Sequence, residues 1–164
     1  MRAKIFDIDG TLADVTMIGH MLDGVTVGSM PPDFYNEYHN KAIDVPPVDW
    51  VVDAARMAIT SGYVVILITA RKVMYSAQTT VFLGKNNIPY HHLCMRSNDD
   101  DRPDHEYKEE VLHRLIAMGY DIEEAYDDNP AIIKLWQKHG IKTVYVQGFG
   151  FYYSLEDVSN EGNS

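Results

Sequence analysis

Short apolar runs alternate along this chain with segments whose apolar positions recur at helical spacing. The runs predict strands over 3–8, 63–68, 90–95, 124–126 and 143–146. The segments between them predict helices over 49–60, 74–87, 105–118 and 131–139. Strands that alternate with helices indicate a parallel sheet covered on both faces. The pattern therefore predicts an α/β fold, a three-layer Rossmann-like parallel sheet.

The segment over 14–47 lacks this regularity and is expected to be a small flap or insert after the first strand. Its residues 15–27 alternate loosely around Asp23-Gly24, a pair that favours a hairpin turn. A short helix over 33–40 follows. The insert is too short for a large cap domain, so residues 1–150 are expected to form one domain, followed by a polar tail over 151–164.

The charge balance limits what this protein can bind. Lys and Arg number 14 and Asp and Glu number 24 among the 164 residues, which gives a formal net charge of −10. An acidic body does not attract polyanions, so a phosphate or nucleic-acid ligand needs a local cationic patch or a metal. The single cysteine, Cys94, excludes an internal disulfide. No apolar run approaches membrane-spanning length, and we expect a soluble cytoplasmic protein with no membrane or disulfide partner.

Chemistry-bearing side chains follow the predicted strands. They are Asp7 and Asp9, Thr69 and Arg71, Lys108 near a helix start, and the pair Asp127-Asp128. Ligands of open α/β sheets bind outside the carboxyl ends of the strands. Four neighbouring acids would repel one another unless a hard cation such as Mg²⁺ lay among them. With a lysine and an arginine beside it, such a site suits a phosphoryl group.

Each of these pieces has a plain structural explanation when taken alone. Asp-Gly after a strand commonly forms a turn, and Asp127-Asp128-Asn129-Pro130 can simply cap a helix. The functional interpretation rests on the order of all four groups and on their position at strand ends. His91-His92 is not expected to bind metal, because neighbours in a strand point to opposite faces.

The motifs carry a family resemblance. Asp7-Ile8-Asp9-Gly10-Thr11-Leu12 resembles the first motif of the haloacid dehalogenase-like (HAD) phosphatases, and Ile66-Leu67-Ile68-Thr69-Ala70-Arg71 resembles the second. Lys108 and Asp127-Asp128 match the third and fourth. The spacing from Arg96 to Lys108 is similar to that of the phosphatase module of phage polynucleotide kinase–phosphatases. No phosphate-binding Gly-x-x-x-x-Gly-Lys-Ser/Thr loop is present, so a stand-alone phosphatase is expected.

The resemblance implies roles for the matched residues. Asp7 would be the nucleophile that forms an aspartyl-phosphate, and Asp9 the general acid and then the base. Lys108 would steady the nucleophile and the transition-state charge, and Thr69 would hold a phosphate oxygen. These four residues make up the implied catalytic set.

The same resemblance implies a metal site and a substrate site. Mg²⁺ would take Asp7, the backbone carbonyl of Asp9 and Asp127, with Asp128 supporting the shell. The implied substrate-binding residues are Gly10, Thr11, Ala70, Arg71 and Arg96. Two points stay open: Asp100, Arg102 and Asp104 either help bind substrate or form a structural charge network. Phe34, Tyr35, Tyr38 and Trp50 either pack under the insert or stack on a base.

The implied function is a Mg²⁺-dependent phosphomonoesterase acting on nucleic-acid or nucleotide ends, with 3′-phosphates as the expected substrate. One alternative is a small-molecule nucleotidase of the same superfamily. Another is a phosphate-binding module without catalysis, although the intact Asp7 and Asp9 pair argues against it.

Overall fold

A computed structural model describes residues 1–25 and 30–150 of the protein. Five strands within these ranges form a single parallel sheet with the order β3-β2-β1-β4-β5. The strands are β1 (Arg2–Phe6), β2 (Val64–Lys72), β3 (His92–Arg96), β4 (Asp121–Asp127) and β5 (Lys142–Tyr145). The predicted parallel sheet is confirmed, and β1 lies at its centre.

Helices cover both faces of the sheet. They are α1 (Asn36–Lys41), α2 (Asp49–Thr60), α3 (Ser76–Lys85), α4 (Asp104–Ala117) and α5 (Pro130–Lys138). Successive strand residues point to opposite faces, so Phe6 packs in the core beneath α2 and α3 while Ile5 packs in the core beneath α4 and α5. Trp136 of α5 is fully buried in the second core. The three-layer arrangement follows, and the described residues contain no large cap domain.

Strand β4 begins earlier than its apolar run indicates. The sequence predicts a strand over 124–126, but β4 starts at Asp121. Glu124 carries a charge in the middle of this strand, and the Nζ atoms of Lys4 and Lys142 lie 2.9 and 3.0 Å from its carboxylate oxygens. Because these lysines belong to the neighbouring strands, cross-strand ion pairs make a charged position compatible with the sheet.

The turn predicted at Asp23-Gly24 is present, because the Val25 amide donates to the Leu22 carbonyl at 3.1 Å and Gly24 has a φ of +72°, but the strand expected before it is not. Residues 15–25 contain no strand and instead include a 3₁₀ turn at Gly19–Leu22. The side chains of Val15 and Ile18 are buried, and the Val15 amide donates to the carbonyl of Phe149. Core burial therefore replaces strand pairing here. The remaining predicted positions, 26 and 27, lie outside the described residues.

The rest of the insert is partly helical. The helix predicted over 33–40 is present as a 3₁₀ turn at Pro32–Tyr35 followed by α1. The predicted tail over 151–164 lies outside the described residues, so the division of the chain at residue 150 stays a prediction. Within the described ranges, no helix is both long and apolar enough to cross a membrane.

Candidate active site

One lysine joins two carboxylates at the carboxyl end of the sheet. Asp7 follows the central strand β1, Asp127 ends the adjacent strand β4, and Lys108 reaches both from the second turn of α4. The Nζ atom of Lys108 donates to Asp7 Oδ1 at 2.9 Å and to Asp127 Oδ2 at 2.7 Å. All three side chains are buried. The structure thus brings together three of the residues assigned from the sequence.

The negative charge in this cluster exceeds the positive charge. Asp128 is also buried beside Asp7 and Asp127, so three carboxylates surround one ammonium group. Burial raises the pKa of Asp7 to about 7, and the nearby acids add to the shift although Lys108 opposes it. Burial, followed by repulsion from Asp7 and Asp127, also raises the pKa of Asp128 well above its ordinary value.

The donor set fits a hard divalent cation. Ligand oxygens of Asp7, Asp127 and Asp128 lie within 4.8 Å of one another. Asp128 Oδ2 is buried and has no hydrogen-bond partner among the described residues. Carboxylate oxygens without nitrogen or sulfur donors suit Mg²⁺, and a cation would satisfy both the orphaned oxygen and the charge imbalance.

Gly10 allows the chain to pass close to this cluster. Its φ is +80°, a conformation that favours glycine. A Cβ atom at this position would overlap the carboxylate of Asp128 and would lie 2.7 Å from the Cα of Gly150. The first-motif glycine is therefore required by both conformation and space. Next to it, the hydroxyl of buried Thr11 donates to Asp7 Oδ2 at 3.4 Å.

Asp9 points to a different partner. Arg71 donates from Nε to Asp9 Oδ2 at 2.8 Å and from Nη2 to Asp9 Oδ1 at 2.7 Å, a two-pronged ion pair. The third guanidinium nitrogen, Nη1, donates to Thr79 Oγ1 at 3.1 Å. Burial of Asp9 favours its protonated form, but the charge and hydrogen bonds of Arg71 outweigh burial and lower the pKa.

This pairing changes how Arg71 is understood. The sequence assigns Arg71 to a substrate phosphate, whereas all three of its guanidinium nitrogens contact Asp9 or Thr79. Its side chain is almost completely buried. Arg71 therefore positions Asp9 in this structure. The Asp9 side chain faces Arg71 rather than the other acids. The expected metal contact of Asp9 is through its backbone carbonyl, and that contact stays a prediction.

The other assigned phosphate-binding residues lie near the same edge. Ala70 lines the cavity over the acids. The hydroxyl of Thr69 is buried and accepts a hydrogen bond from the Arg71 amide at 3.2 Å. Arg96, at the end of β3, also lines the cavity, and it donates to the Asp104 carboxylate and to the carbonyl of Arg102.

The charged segment after β3 forms a network. Arg102 Nη2 lies 2.7 Å from Asp100 Oδ2, and Arg102 Nη1 lies 2.7 Å from Glu110 Oε2. These ion pairs support the structural-network interpretation of Asp100 and Arg102, whereas Asp104 pairs with Arg96 and also lines the cavity.

The cavity over these groups measures about 330 Å³ and has one aromatic wall. Tyr35, Tyr38, His39 and Tyr75 line that wall. The rings of His39 and Tyr75 stack with centroids 3.8 Å apart. Tyr38 is buried and its hydroxyl donates to Asp9 Oδ1 at 3.4 Å.

Sequence reasoning found only part of this wall. Tyr35 and Tyr38 are candidates from the sequence, whereas His39 and Tyr75 are not, because their contact depends on how the insert packs against α3 and the turn before it. Phe34 and Trp50, the other two candidates, are exposed and do not line the cavity.

His91 and His92 have separate structural partners. His91 Nδ1 accepts a hydrogen bond from the Val65 amide at 2.9 Å. His92 Nε2 lies 2.8 Å from the hydroxyl of Tyr120. The two rings do not form a metal pair with each other.

Comparisons with known proteins agree with this geometry. The family model of the polynucleotide kinase PNKP phosphatase domain matches residues 1–151. A protein of Autographa californica nuclear polyhedrosis virus, assigned as a bifunctional polynucleotide kinase/RNA ligase, is 25% identical over 145 residues. That match covers 88% of this chain and 19% of the viral protein. The chain therefore spans about a fifth of this curated relative.

Solved structures give the same result at the level of the fold. A chain of the Pnkp1/Rnl/Hen1 complex is 29% identical, with a TM-score of 0.74, over 92% of this chain and 47% of that chain. The class C acid phosphatase from Bacillus anthracis has the same fold, with a TM-score of 0.66 at 16% identity over 99% of this chain and 72% of its own. The chain is an HAD-type phosphatase, and it belongs to the family of polynucleotide kinase PNKP phosphatase domains.

Proposed function

We propose that this phosphatase is Mg²⁺-dependent, forms an aspartyl-phosphate on Asp7 and removes 3′-phosphates from nucleic-acid ends. The observation that carries the proposal is the buried cluster of Asp7, Asp127 and Asp128 around a single lysine. This cluster joins a nucleophile, a fixed positive charge and an oxygen-only donor set at one point.

The first step is attack of an Asp7 carboxylate oxygen on phosphorus. The new bond joins Asp7 to phosphorus, and the bond between phosphorus and the ribose or deoxyribose oxygen breaks. Lys108, held 2.9 Å from Asp7, orients the nucleophile and offsets charge on the phosphoryl oxygens. A bound Mg²⁺, held by Asp7, Asp127 and Asp128, would keep the nucleophile ionised and neutralise phosphoryl charge.

Asp9 handles the proton in both steps. It donates a proton to the leaving oxygen in the first step, and it removes one from the water that attacks the phosphorus in the second. That water displaces the Asp7 carboxylate, which releases inorganic phosphate and regenerates the enzyme. The ion pair with Arg71 keeps Asp9 ionised in the resting state, and this form suits the second step. A phosphate dianion entering beside Asp9 favours the protonated form that the first step needs.

The choice of a polymer end rests on relatives and on the cavity. The viral relative is assigned as a polynucleotide kinase/RNA ligase, and the Pnkp1/Rnl/Hen1 complex is described as an RNA repair complex. In this chain the cavity places an aromatic wall beside the acids. A terminal base can stack there while its phosphate reaches Asp7.

The test is a comparison of substrates on the purified chain with Mg²⁺. We expect kcat/KM for a 3′-phosphorylated oligonucleotide to exceed that for the 5′-phosphorylated form and for a 3′-mononucleotide by at least about tenfold. Asp7→Asn protein, assayed in parallel, controls for a contaminating phosphatase. Equal or greater turnover of mononucleotides would instead identify a nucleotidase, and no metal-dependent turnover of any phosphomonoester would refute the proposal altogether.

A further inference from the structure

A second cluster of metal-ligating side chains lies away from the active site, where α4 packs against α5. Glu109 and His113 are one turn apart on α4, so they share a helix face. His139, directly after α5, completes the group. One ligand atom from each residue lies within 4.8 Å of the other two. These three residues are called the α4–α5 cluster below.

The α4–α5 cluster is already assembled as a set of mutual contacts. Glu109 Oε1 lies 2.7 Å from His139 Nε2, and the rings of His113 and His139 are 5.3 Å apart at their centroids. Glu109 is next to the active-site Lys108 in sequence, but consecutive helical residues point in different directions. None of the three lines the active-site cavity.

We infer that the α4–α5 cluster is a binding site for a transition-metal cation, with Zn²⁺ as the preferred ion. Two imidazoles and one carboxylate are typical Zn²⁺ ligands, and a water would complete a tetrahedron. The same set is a poor one for Mg²⁺, which prefers oxygen ligands alone. The α4–α5 cluster and the carboxylate cluster of the active site are thus expected to select different ions.

Zn²⁺ binding needs only small side-chain movements. Zn–N and Zn–O bonds are about 2.0–2.2 Å long, so tetrahedral ligand atoms lie about 3.3–3.6 Å apart. The present separations, from 2.7 Å to within 4.8 Å, span that value. The negative end of the α5 dipole lies at His139 and adds a modest attraction for a cation.

Lys138 competes with the metal. Its Nζ atom lies 3.2 Å from Glu109 Oε1, the oxygen that also contacts His139. A cation bound through Glu109 Oε1 competes with this ammonium group for the same oxygen. Removing the Lys138 charge should therefore strengthen metal binding, whereas a purely structural ion pair would give no such gain.

The site would connect the two helices that flank the active site. Lys108 reaches the acids from α4, and α5 begins two residues after Asp128. A metal bridging Glu109, His113 and His139 would hold these helices together from the outer side. The expected effect is on stability, since no member of the cluster touches the substrate cavity.

The experiment is a Zn²⁺ titration against a chelating indicator in saturating Mg²⁺, followed by thermal unfolding. The variants are His113→Ala, His139→Ala and Lys138→Met. Exposed His20, outside the cluster, provides the matched control His20→Ala. Asp127→Asn tests whether Zn²⁺ binds at the active site instead.

We expect the wild-type chain and the Asp127→Asn variant to bind one Zn²⁺ with equal affinity. His113→Ala and His139→Ala should each weaken binding by at least about tenfold, and Lys138→Met should tighten it. Excess Zn²⁺ should raise the Tm of the wild type by several degrees and leave that of His113→Ala unchanged. Unchanged affinity in His113→Ala, or loss of binding in Asp127→Asn or His20→Ala, would overturn the assignment.

Discussion

Two aspartates that are only two residues apart sit in opposite electrostatic environments. Asp7 shares one lysine with Asp127 and has Asp128 as a further buried neighbour, and burial raises its pKa to about 7. Asp9 forms an ion pair with Arg71. Burial alone would raise the pKa of Asp9, but the charge and hydrogen bonds of Arg71 outweigh burial and lower it. Both acids lie after the end of β1, in the turn that leaves the strand, and they reach two different partners.

This difference shows which of the two aspartates needs a bound cation or a proton to balance its charge. On the Asp9 side, Arg71 balances one carboxylate and leaves no guanidinium nitrogen without a partner. On the Asp7 side, three carboxylates face one ammonium group and one carboxylate oxygen is orphaned. The Asp9 side is complete as folded, whereas the Asp7 side requires protonation or a cation.

The largest expected effect comes from removing the nucleophile. Asp7→Asn should fold and lose turnover by at least about 10⁴-fold, because an amide attacks phosphorus poorly. Steady-state hydrolysis of a 3′-phosphorylated oligonucleotide measures the loss. Asp121→Asn, at the opposite end of β4, is the matched control and should retain activity. Activity of Asp7→Asn within tenfold of wild type would contradict the nucleophile assignment.

Removing each cation in turn compares the two sides directly. Lys108→Met leaves buried carboxylates unpaired and should lower the free energy of unfolding by about 3–5 kcal/mol without metal. Arg71→Met leaves the partly buried Asp9 unpaired and should cost less. Mg²⁺ should recover part of this loss for Lys108→Met only, because only that side has the oxygen donor set.

Urea unfolding with and without Mg²⁺ gives the measurement. If Mg²⁺ restored the free energy of unfolding equally in Lys108→Met and Arg71→Met, the cation site would not be specific to the acids around Lys108. Arg71→Met should also reduce turnover of an aryl phosphate as strongly as that of an oligonucleotide, since Arg71 acts through Asp9.

Mg²⁺ should stabilise the wild-type chain by about 2.7 kcal/mol at 100 times its Kd. Asp128→Asn should make the metal-free protein more stable than wild type, because one of three neighbouring buried acids is removed. The same variant should gain less stability from Mg²⁺, because one oxygen ligand is lost. Chelation should abolish turnover. Thermal unfolding across a Mg²⁺ series tests the first two points, and a larger Mg²⁺ gain in Asp128→Asn than in wild type would count against the cation site.

The smallest expected effect is on the pH dependence of stability, through the buried His39. Burial, aided by Arg71, lowers the pKa of His39 from 6.5 to about 4. Below pH 6.5 the unfolded chain takes up a proton that the folded chain refuses until about pH 4, so stability falls as pH falls through this window. Between pH 7 and 5, wild type should lose up to about 2 kcal/mol more than His39→Gln.

Urea unfolding at the two pH values tests this, with His20→Gln as the control at an exposed histidine. The control should follow the wild-type pH dependence. Parallel curves for wild type and His39→Gln would mean that His39 titrates normally in the fold.

Much of the site could be predicted because parallel strands end at one edge. Asp7 follows β1 and Asp127 is the last residue of the neighbouring strand β4, so the contact of these acids through Lys108 follows from the order of elements. The partner of Arg71 could not be predicted in this way. The pairing of β2 with β3 shifts between Thr69 and Lys72, and such a bulge re-aims a side chain.

Contacts between segments that are distant in sequence could not be predicted either. The stacking of His39 on Tyr75 requires the insert to pack against α3 and the turn before it, and residues 15–25 of that insert form a turn but no strand. The α4–α5 cluster was partly readable, since Glu109 and His113 have helical spacing. His139 joins them only through the packing of two helices, which no local pattern reports.

The central place of β1 also bears on how the chain is made. During synthesis β1 emerges first, but its two partners are β2, which starts at Val64, and β4, which ends at Asp127. At roughly 5–20 residues per second, the first strand waits several seconds for its second neighbour. Chains interrupted before β4 would expose one edge of an apolar strand, so premature termination should yield aggregating fragments rather than partly active ones.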